Sequence, residues 1–343
     1  MGAIAVTGAN GFVGARVVRE LLRRGHEVAA LVGADVGREN LEGVSVKARE
    51  LDLCDRVSVR AGLAGCEAVI HTAACYAFWL PDPRDFQRIN VEGTRAVLDA
   101  ARELGLRKMV YTSTGATLAP AGPGFAGHYR SSKAQAERLV AEAAAQGFPA
   151  AIVHPTTVLG PGDRRPTPTG TMIVHFLNGQ MKAFIEMQQN VVHVDDVAAG
   201  HVAALERGQR GAHYVLGGEN LSMRELLALL AEITGLPAPR IALPNAFIRV
   251  LGAANEWLSD RVTHRPPLVA REAALHARDA RPFDTSLARA ELGFAPRAAR
   301  PVLEDAVRWF ASQGACPRET AARVLARIGA AGEGAQPIRS NPV

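Results

Sequence analysis

Lysine and tyrosine are scarce in this chain of 343 residues, with four of each, and cysteine (four) and tryptophan (three) are no commoner. Cys54, Cys66, Cys75 and Cys316 contain no Cys-x-x-Cys pair, which argues against a thiolate zinc site or a disulfide framework. Reduced thiols and no bound metal are expected. No run of about 18 uninterrupted apolar residues occurs, and an apolar strand opens at Ala3 with no basic leader before it. A membrane span and a signal peptide are therefore not expected, and the protein is expected to be cytoplasmic. Aromatic residues make up only 5%, but 48% of the chain is hydrophobic and 21% charged, enough to build a core and too apolar for disorder. The scarcity of lysine leaves 35 of the 39 basic residues as arginine. The net charge of +5 and pI of 9.3 are spread among 34 acids, and clusters such as Arg23-Arg24 and Arg164-Arg165 are too short to track a phosphate backbone. No nucleic-acid partner is expected.

What the chain does have is a rhythm. Short β-rich runs at Ile4–Val6, Glu27–Val32, Val44–Ala48, Ala68–His71 and Lys108–Thr112 alternate with helical stretches at about 12–24 and 84–104, followed by a helix at 131–146 and a strand at 150–154. Strands separated by helices of this length predict βαβ units, hence an α/β fold with a Rossmann-type doubly wound parallel sheet. The rhythm breaks at the Pro/Gly/Arg-rich loop from Gly160 to Gly170, and from Leu221 onward helices dominate. The expected organisation is a dinucleotide-binding domain of residues 1–160 and about 190–216. A smaller, mainly helical substrate lobe covers about 161–189 and 217–320, and a flexible tail covers about 332–343.

Thr7-Gly8-Ala9-Asn10-Gly11-Phe12-Val13-Gly14 joins the first strand to the first helix. Glycines there permit a tight turn and close approach of a pyrophosphate to the free N–H groups and positive dipole end of the helix. Gly8, Asn10, Gly11, Phe12 and Val13 are accordingly candidate cofactor ligands. The residue that reads the ribose should lie about 20 positions on, at the end of the second strand. That end is Val32-Gly33-Ala34, with neither the acid of an NAD site nor the arginine of an NADP site. Asp35 or Arg38 could reach the ribose from the next loop. Asp52, with Leu53, is a candidate for the adenine, although an aspartate there also suits a helix N-cap.

Tyr129 and Lys133 stand four apart, on one face of one helical turn. With so few of either residue, chance supplies such a pair about 0.05 times in a chain of this length. Hydride reduction of a ketone needs a proton for the nascent alkoxide, and a phenol with a pKa near 10 serves better beside a cation. Lys133 supplies one. Thr114, in Tyr111-Thr112-Ser113-Thr114, can donate a hydrogen bond where charge develops on the substrate oxygen, with Ser113 the competing candidate.

These residues together resemble the extended short-chain dehydrogenase/reductase superfamily, also called the NAD-dependent epimerase/dehydratase superfamily. The resemblance spans about residues 3–315 and includes Thr7-Gly8-x-x-Gly11-x-x-Gly14, Asp52-Leu53, His71-Thr72-Ala73-Ala74, Asn90-Val91-Glu92-Gly93-Thr94, Tyr129-x-x-x-Lys133, the run His154–Asp163 and Val192–Ala198. It is most similar to the dihydroflavonol 4-reductase-like branch and, within it, to the hopanoid-associated sugar epimerase-like proteins. The resemblance implies that Tyr129 is the general acid/base, Lys133 its activator and a ribose ligand, and Thr114 the carbonyl-orienting hydroxyl. It places Thr72, Ala73, Ala74, Pro155 and Val158 along the cofactor, NADP or NAD, and gives Asn90 a relay water or the local backbone to hold. His193, Asp195 and Asp196 are read as starting a helix. It also implies a homodimer formed through the helices near 84–104 and 131–146.

The substrate is expected to be a small molecule touching Tyr76, Trp79, Thr114, His128 and Thr157, with Phe78 adding to an apolar wall. The leading reading is a carbonyl reductase or alcohol dehydrogenase acting on a ketone or secondary alcohol of a fairly apolar metabolite. The alternative is an NAD-dependent sugar or sugar-nucleotide epimerase. Against it, Thr157 stands where such enzymes carry the Asn that holds the substrate pyrophosphate. Gly115-Ala116 after Thr114 likewise departs from the Asp-Glu of dehydratases.

Overall fold

Apolar strands separated by amphipathic helices have a single good solution: a parallel sheet whose central strands are buried on both faces, with the polar strand Lys47–Glu50 at one exposed edge. The computed structural model, which describes residues 2–34, 37–118, 127–244, 252–257, 259, 261, 272, 275, 277 and 280–333, adopts it. The strands and helices of the first half are β1 (Ala3–Thr7), α1 (Phe12–Arg23), β2 (Val28–Val32), β3 (Lys47–Glu50), α2 (Arg56–Leu63), β4 (Cys66–His71), α3 (Gly93–Glu103), β5 (Lys108–Thr112) and α4 (His128–Ala145). They are followed by β6 (Ala150–Pro155), β7 (Thr157–Leu159), α5 (Pro168–Leu177), β8 (Ala183–Ile185), β9 (Gln188–His193), α6 (Val194–Arg207) and β10 (His213–Leu216). The large sheet runs β10-β6-β5-β4-β1-β2-β3, with every pair parallel. Strand order reverses between β1 and β4, and the crevice beyond their carboxyl ends is where such sheets bind ligands.

The remaining elements are β11 (Glu219–Ser222), α7 (Met223–Thr234), β12 (Ile241–Leu243), α8 (Ser286–Leu292), α9 (Ala299–Ser312) and α10 (Arg318–Glu333). The smaller lobe is less purely helical than its sequence suggests. It carries a three-stranded sheet, β11-β9-β7, and a pair, β12-β8. Its core joins Leu159, Phe176, Leu227, Leu230, Leu303, Val307 and Phe310. Each such side chain contributes about 1.5–3 kcal/mol when fully buried, so α9, which buries Val302, Leu303, Val307 and Phe310, anchors the lobe.

Three boundaries differ from expectation. The lobe continues through α10, past residue 320, because Val324 and Ile328 are buried in the same core. Of the expected tail at 332–343, residues 332 and 333 belong to this helix, and the rest lie outside the described residues. The helix expected at 84–104 is a π-helical segment, Phe86–Glu92, that leads into α3. In α3, Ala96 and Ala100 are buried inside the protein's own core.

Candidate active site

The glycine turn is shaped by close backbone contact. Gly8 has φ +66°, and a Cβ there would lie 2.8 Å from the Ala73 Cα; a Cβ on Gly14 would lie 2.1 Å from the Gly8 carbonyl oxygen. Only glycine fits at either place. The turn is pinned to the end of β4: the Thr72 hydroxyl donates to the Thr7 carbonyl at 2.7 Å, and the Ala73 N–H donates to the Thr7 hydroxyl. Gly11 is the N-cap of α1, makes no side-chain cap, and no acid occupies the first turn. An uncapped helix start beside a cradle with no room for a Cβ fits the pyrophosphate of a dinucleotide; Gly11, Phe12 and Val13 are the residues at that helix start.

The expected ribose and adenine ligands lie around this cradle. Asn10 bonds the Gly37 carbonyl and Asn40 bonds the Asn10 carbonyl, which latches the loop after β2 onto the turn. Arg38 is exposed and paired with Glu50 at 3.1 Å; Asp35 lies outside the described residues. Asp52 is not the helix cap. Asp55 caps α2, while Asp52 accepts from the Cys54 N–H at 2.8 Å. Leu53 packs beside Gly93, and Pro155 and Val158 end β6 and lie in β7.

Tyr129 and Lys133 open α4 and are both buried. Burial, reinforced by the neighbouring Tyr76, drives the Tyr129 phenol well above its ordinary pKa, and its hydrogen bond to the Thr114 side chain opposes that rise. Lys133 donates to the Thr112 carbonyl at 2.6 Å and lies 4.5 Å from the centre of the Tyr111 ring. Burial lowers its pKa to about 7, with Glu137 pulling it back up. Thr114 and Ser113 point in different directions. Thr114 lines the cavity beside Tyr129, whereas the Ser113 hydroxyl turns away and donates to Glu137.

The cavity in front of Tyr129 measures about 510 Å³. Tyr76, Phe78, Thr114 and Thr157 line it together with Met172, Met187 and Phe283 from the smaller lobe. The Tyr76 ring stands 5.0 Å from that of Tyr129. Thr157 donates to Gln189 at 2.7 Å, which spends its hydroxyl within the wall. Trp79 and His128 are not part of this lining. His128 is exposed and stacks on Phe86, with ring centres 6.3 Å apart. Asn90, in the π-helical segment, holds the backbone of Cys75 in both directions and donates to Ser132 at 2.9 Å, so its amide is committed to local structure. His193 N-caps α6 by accepting from the Asp195 N–H. His71 bridges Thr7 and Thr94, and burial depresses its pKa to about 3, so it is neutral.

Glu272 was not legible in the sequence. It lies 143 residues after Tyr129, with no motif around it. Its carboxylate accepts from the backbone N–H groups of Tyr129 at 3.2 Å and Arg130 at 2.9 Å, so the smaller lobe grips the start of α4. Burial raises its pKa to about 7, against these hydrogen bonds.

Known proteins place this arrangement. Residues 4–217 match the NAD dependent epimerase/dehydratase family. A putative dihydroflavonol 4-reductase of Synechocystis sp. is 38% identical, over 90% of this chain and 94% of that protein. Sterol demethylase protein B of Methylococcus capsulatus is 34% identical, over 90% of this chain and 98% of that protein. The crystal structure of gox2253 superposes with a TM-score of 0.81 at 38% identity, covering 92% of this chain and 99% of that one. With a nucleotide cradle at the switch point and a matching family over most of the parallel sheet, the chain belongs to the NAD dependent epimerase/dehydratase family and is an NAD(P)-dependent oxidoreductase of the extended short-chain dehydrogenase/reductase type.

Proposed function

We propose that the protein is a carbonyl reductase, or in reverse an alcohol dehydrogenase, for a ketone or secondary alcohol on an apolar, compact metabolite. The observation that carries this reading is the buried Tyr129 phenol, hydrogen-bonded to Thr114 in the wall of a cavity of about 510 Å³ lined by Tyr76, Phe78, Met172, Met187 and Phe283. Bound nicotinamide supplies or accepts the hydride. Thr114 orients the substrate oxygen, and Tyr129 gives it a proton as charge develops, then recovers one from solvent. Lys133, one turn along the helix, provides the positive charge that steadies the phenolate formed in that step. Tyr76 and Phe283 give the cavity an apolar wall that favours a hydrophobic body next to the carbonyl. The names of the Synechocystis and Methylococcus relatives, a reductase and a sterol demethylase protein, agree with a polycyclic or otherwise apolar substrate.

The test is a panel of cyclic and steroidal ketones incubated with reduced cofactor, alongside mass analysis of any nucleotide that co-purifies. Ketone-dependent oxidation of NADPH or NADH supports the reading. Tightly retained NAD, with no ketone turnover and interconversion of a sugar nucleotide, replaces it with epimerisation.

A further inference from the structure

Two turns along α4 from Tyr129, three side chains that the proposed reaction does not use converge. Glu137 comes from α4, His154 from β6 and His213 from β10. One ligand atom from each lies within 4.8 Å of the other two. His154 Nε2 and His213 Nδ1 are 3.0 Å apart, and His213 Nδ1 is 3.5 Å from Glu137 Oε1. Ligands at about 2.0–2.1 Å from a tetrahedral zinc ion stand about 3.3 Å from one another; the two separations at His213 lie either side of that value, and the third pair, His154 and Glu137, lies within 4.8 Å and would draw in around an ion.

The groups behind the ligand atoms are also arranged as a metal site needs them. A ligating imidazole normally gives its other N–H to a carbonyl or carboxylate, and a ligating carboxylate is itself hydrogen-bonded. His154 Nδ1 lies 3.2 Å from the Thr114 carbonyl, and the second oxygen of Glu137 accepts from the Ser113 hydroxyl. His154 is fully buried, whereas the His213 side chain is 39% exposed. That exposure gives an ion an entry path and leaves a position for water. The cysteine spacing that argues against zinc speaks only to thiolate sites; a ligand set drawn from three separate elements has no local spacing to read.

We propose that Glu137, His154 and His213 form a binding site for a divalent transition ion of the zinc class. Two imidazoles and one carboxylate favour zinc, cobalt or nickel over magnesium and calcium, which prefer all-oxygen shells. The His154 link to the Thr114 carbonyl sets the ion behind the residue whose hydroxyl meets Tyr129, so occupancy braces that residue from the rear.

The experiment uses the full chain without a histidine tag, stripped with a chelator and titrated with Co²⁺ and Zn²⁺. Expected are one Co²⁺ per chain with the visible absorption of a low-symmetry site, its displacement by Zn²⁺, and a rise in melting temperature that magnesium does not reproduce. His213→Ala, changed at the exposed ligand, should weaken binding by about a hundredfold or more while keeping the chelated wild-type melting temperature. If that variant fails to fold, Glu137→Gln replaces it. Absence of a Co²⁺ spectrum in the wild type, or an undiminished spectrum in the folded variant, overturns the proposal.

Discussion

Replacing Tyr129 with phenylalanine separates its chemistry from its packing. The ring is buried against Tyr76 and Phe86, and phenylalanine keeps those contacts. What is lost is one hydroxyl and its hydrogen bond to Thr114, whose side chain still accepts from the Ala116 N–H. A single neutral hydrogen bond is worth about 0.5–1.5 kcal/mol net, and removing a buried hydroxyl also removes its desolvation cost. The change in unfolding free energy should therefore stay within about 1 kcal/mol. The glycine cradle is built from β1, α1 and the end of β4, none of which touches this hydroxyl, so the cofactor dissociation constant should be unchanged. Turnover should fall by about 10²–10⁴, the ordinary contribution of a positioned proton donor. The loss should appear in kcat and kcat/KM together, with little change in KM, because the proton is given only as the transition state forms. The assay follows reduced-cofactor absorbance with a ketone substrate at saturation, beside fluorescence titration of the cofactor and urea unfolding. A folded variant with normal cofactor binding and turnover within about threefold of wild type would refute the assignment of the phenol as the acid.

Other outcomes follow from the same geometry. Lys133 has a pKa near 7 in the folded protein against 10.5 for an ordinary lysine; between those values the unfolded chain holds a proton the native chain lacks. Its contribution to stability therefore rises with pH across that window, by up to about 1.4 kcal/mol per unit. Urea midpoints from pH 7 to pH 10 should show a steeper climb in wild type than in Lys133→Met, and parallel curves would contradict the burial. Gly14→Ala places a methyl 2.1 Å from the Gly8 carbonyl oxygen, so it should cost about 1–3 kcal/mol of stability and at least tenfold in cofactor affinity, both read by calorimetry. Arg38 is already paired with Glu50, and Gly33, the first residue after β2, has no side chain. NADH and NADPH should therefore bind within about a hundredfold, near 2.7 kcal/mol, of each other, and a larger preference in parallel titrations would show a specificity determinant elsewhere.

What the sequence could reveal depended on whether the signal was local. The glycine turn and the Tyr129/Lys133 pair are contained in eight and five residues, so their geometry follows from spacing alone. Ser113 and Thr114 are neighbours of like chemistry, and only their opposite directions beyond β5 distinguish them. Asp52 and Asp55 pose the same problem, and the cap formed at the later one. The strands β7 and β11 were hidden because they are short and partly polar, as in Glu219–Ser222, where pairing partners decide the conformation more than propensity does. Glu272 and the Glu137, His154 and His213 cluster join elements far apart in the chain, and no spacing rule reaches them. Burying Ala96 and Ala100 in the protein's own core was equally invisible, since alanine at helical spacing reads alike whether it faces a neighbouring helix or a second chain.

Three consecutive residues leaving β5 meet three positions on α4: the Thr112 carbonyl takes Lys133, the Ser113 hydroxyl meets Glu137, and the Thr114 side chain meets Tyr129. The strand end and the helix are thereby indexed to each other like a key with three teeth, and sliding either by one residue disengages all of them together. Insertions should be least tolerated inside these two short segments.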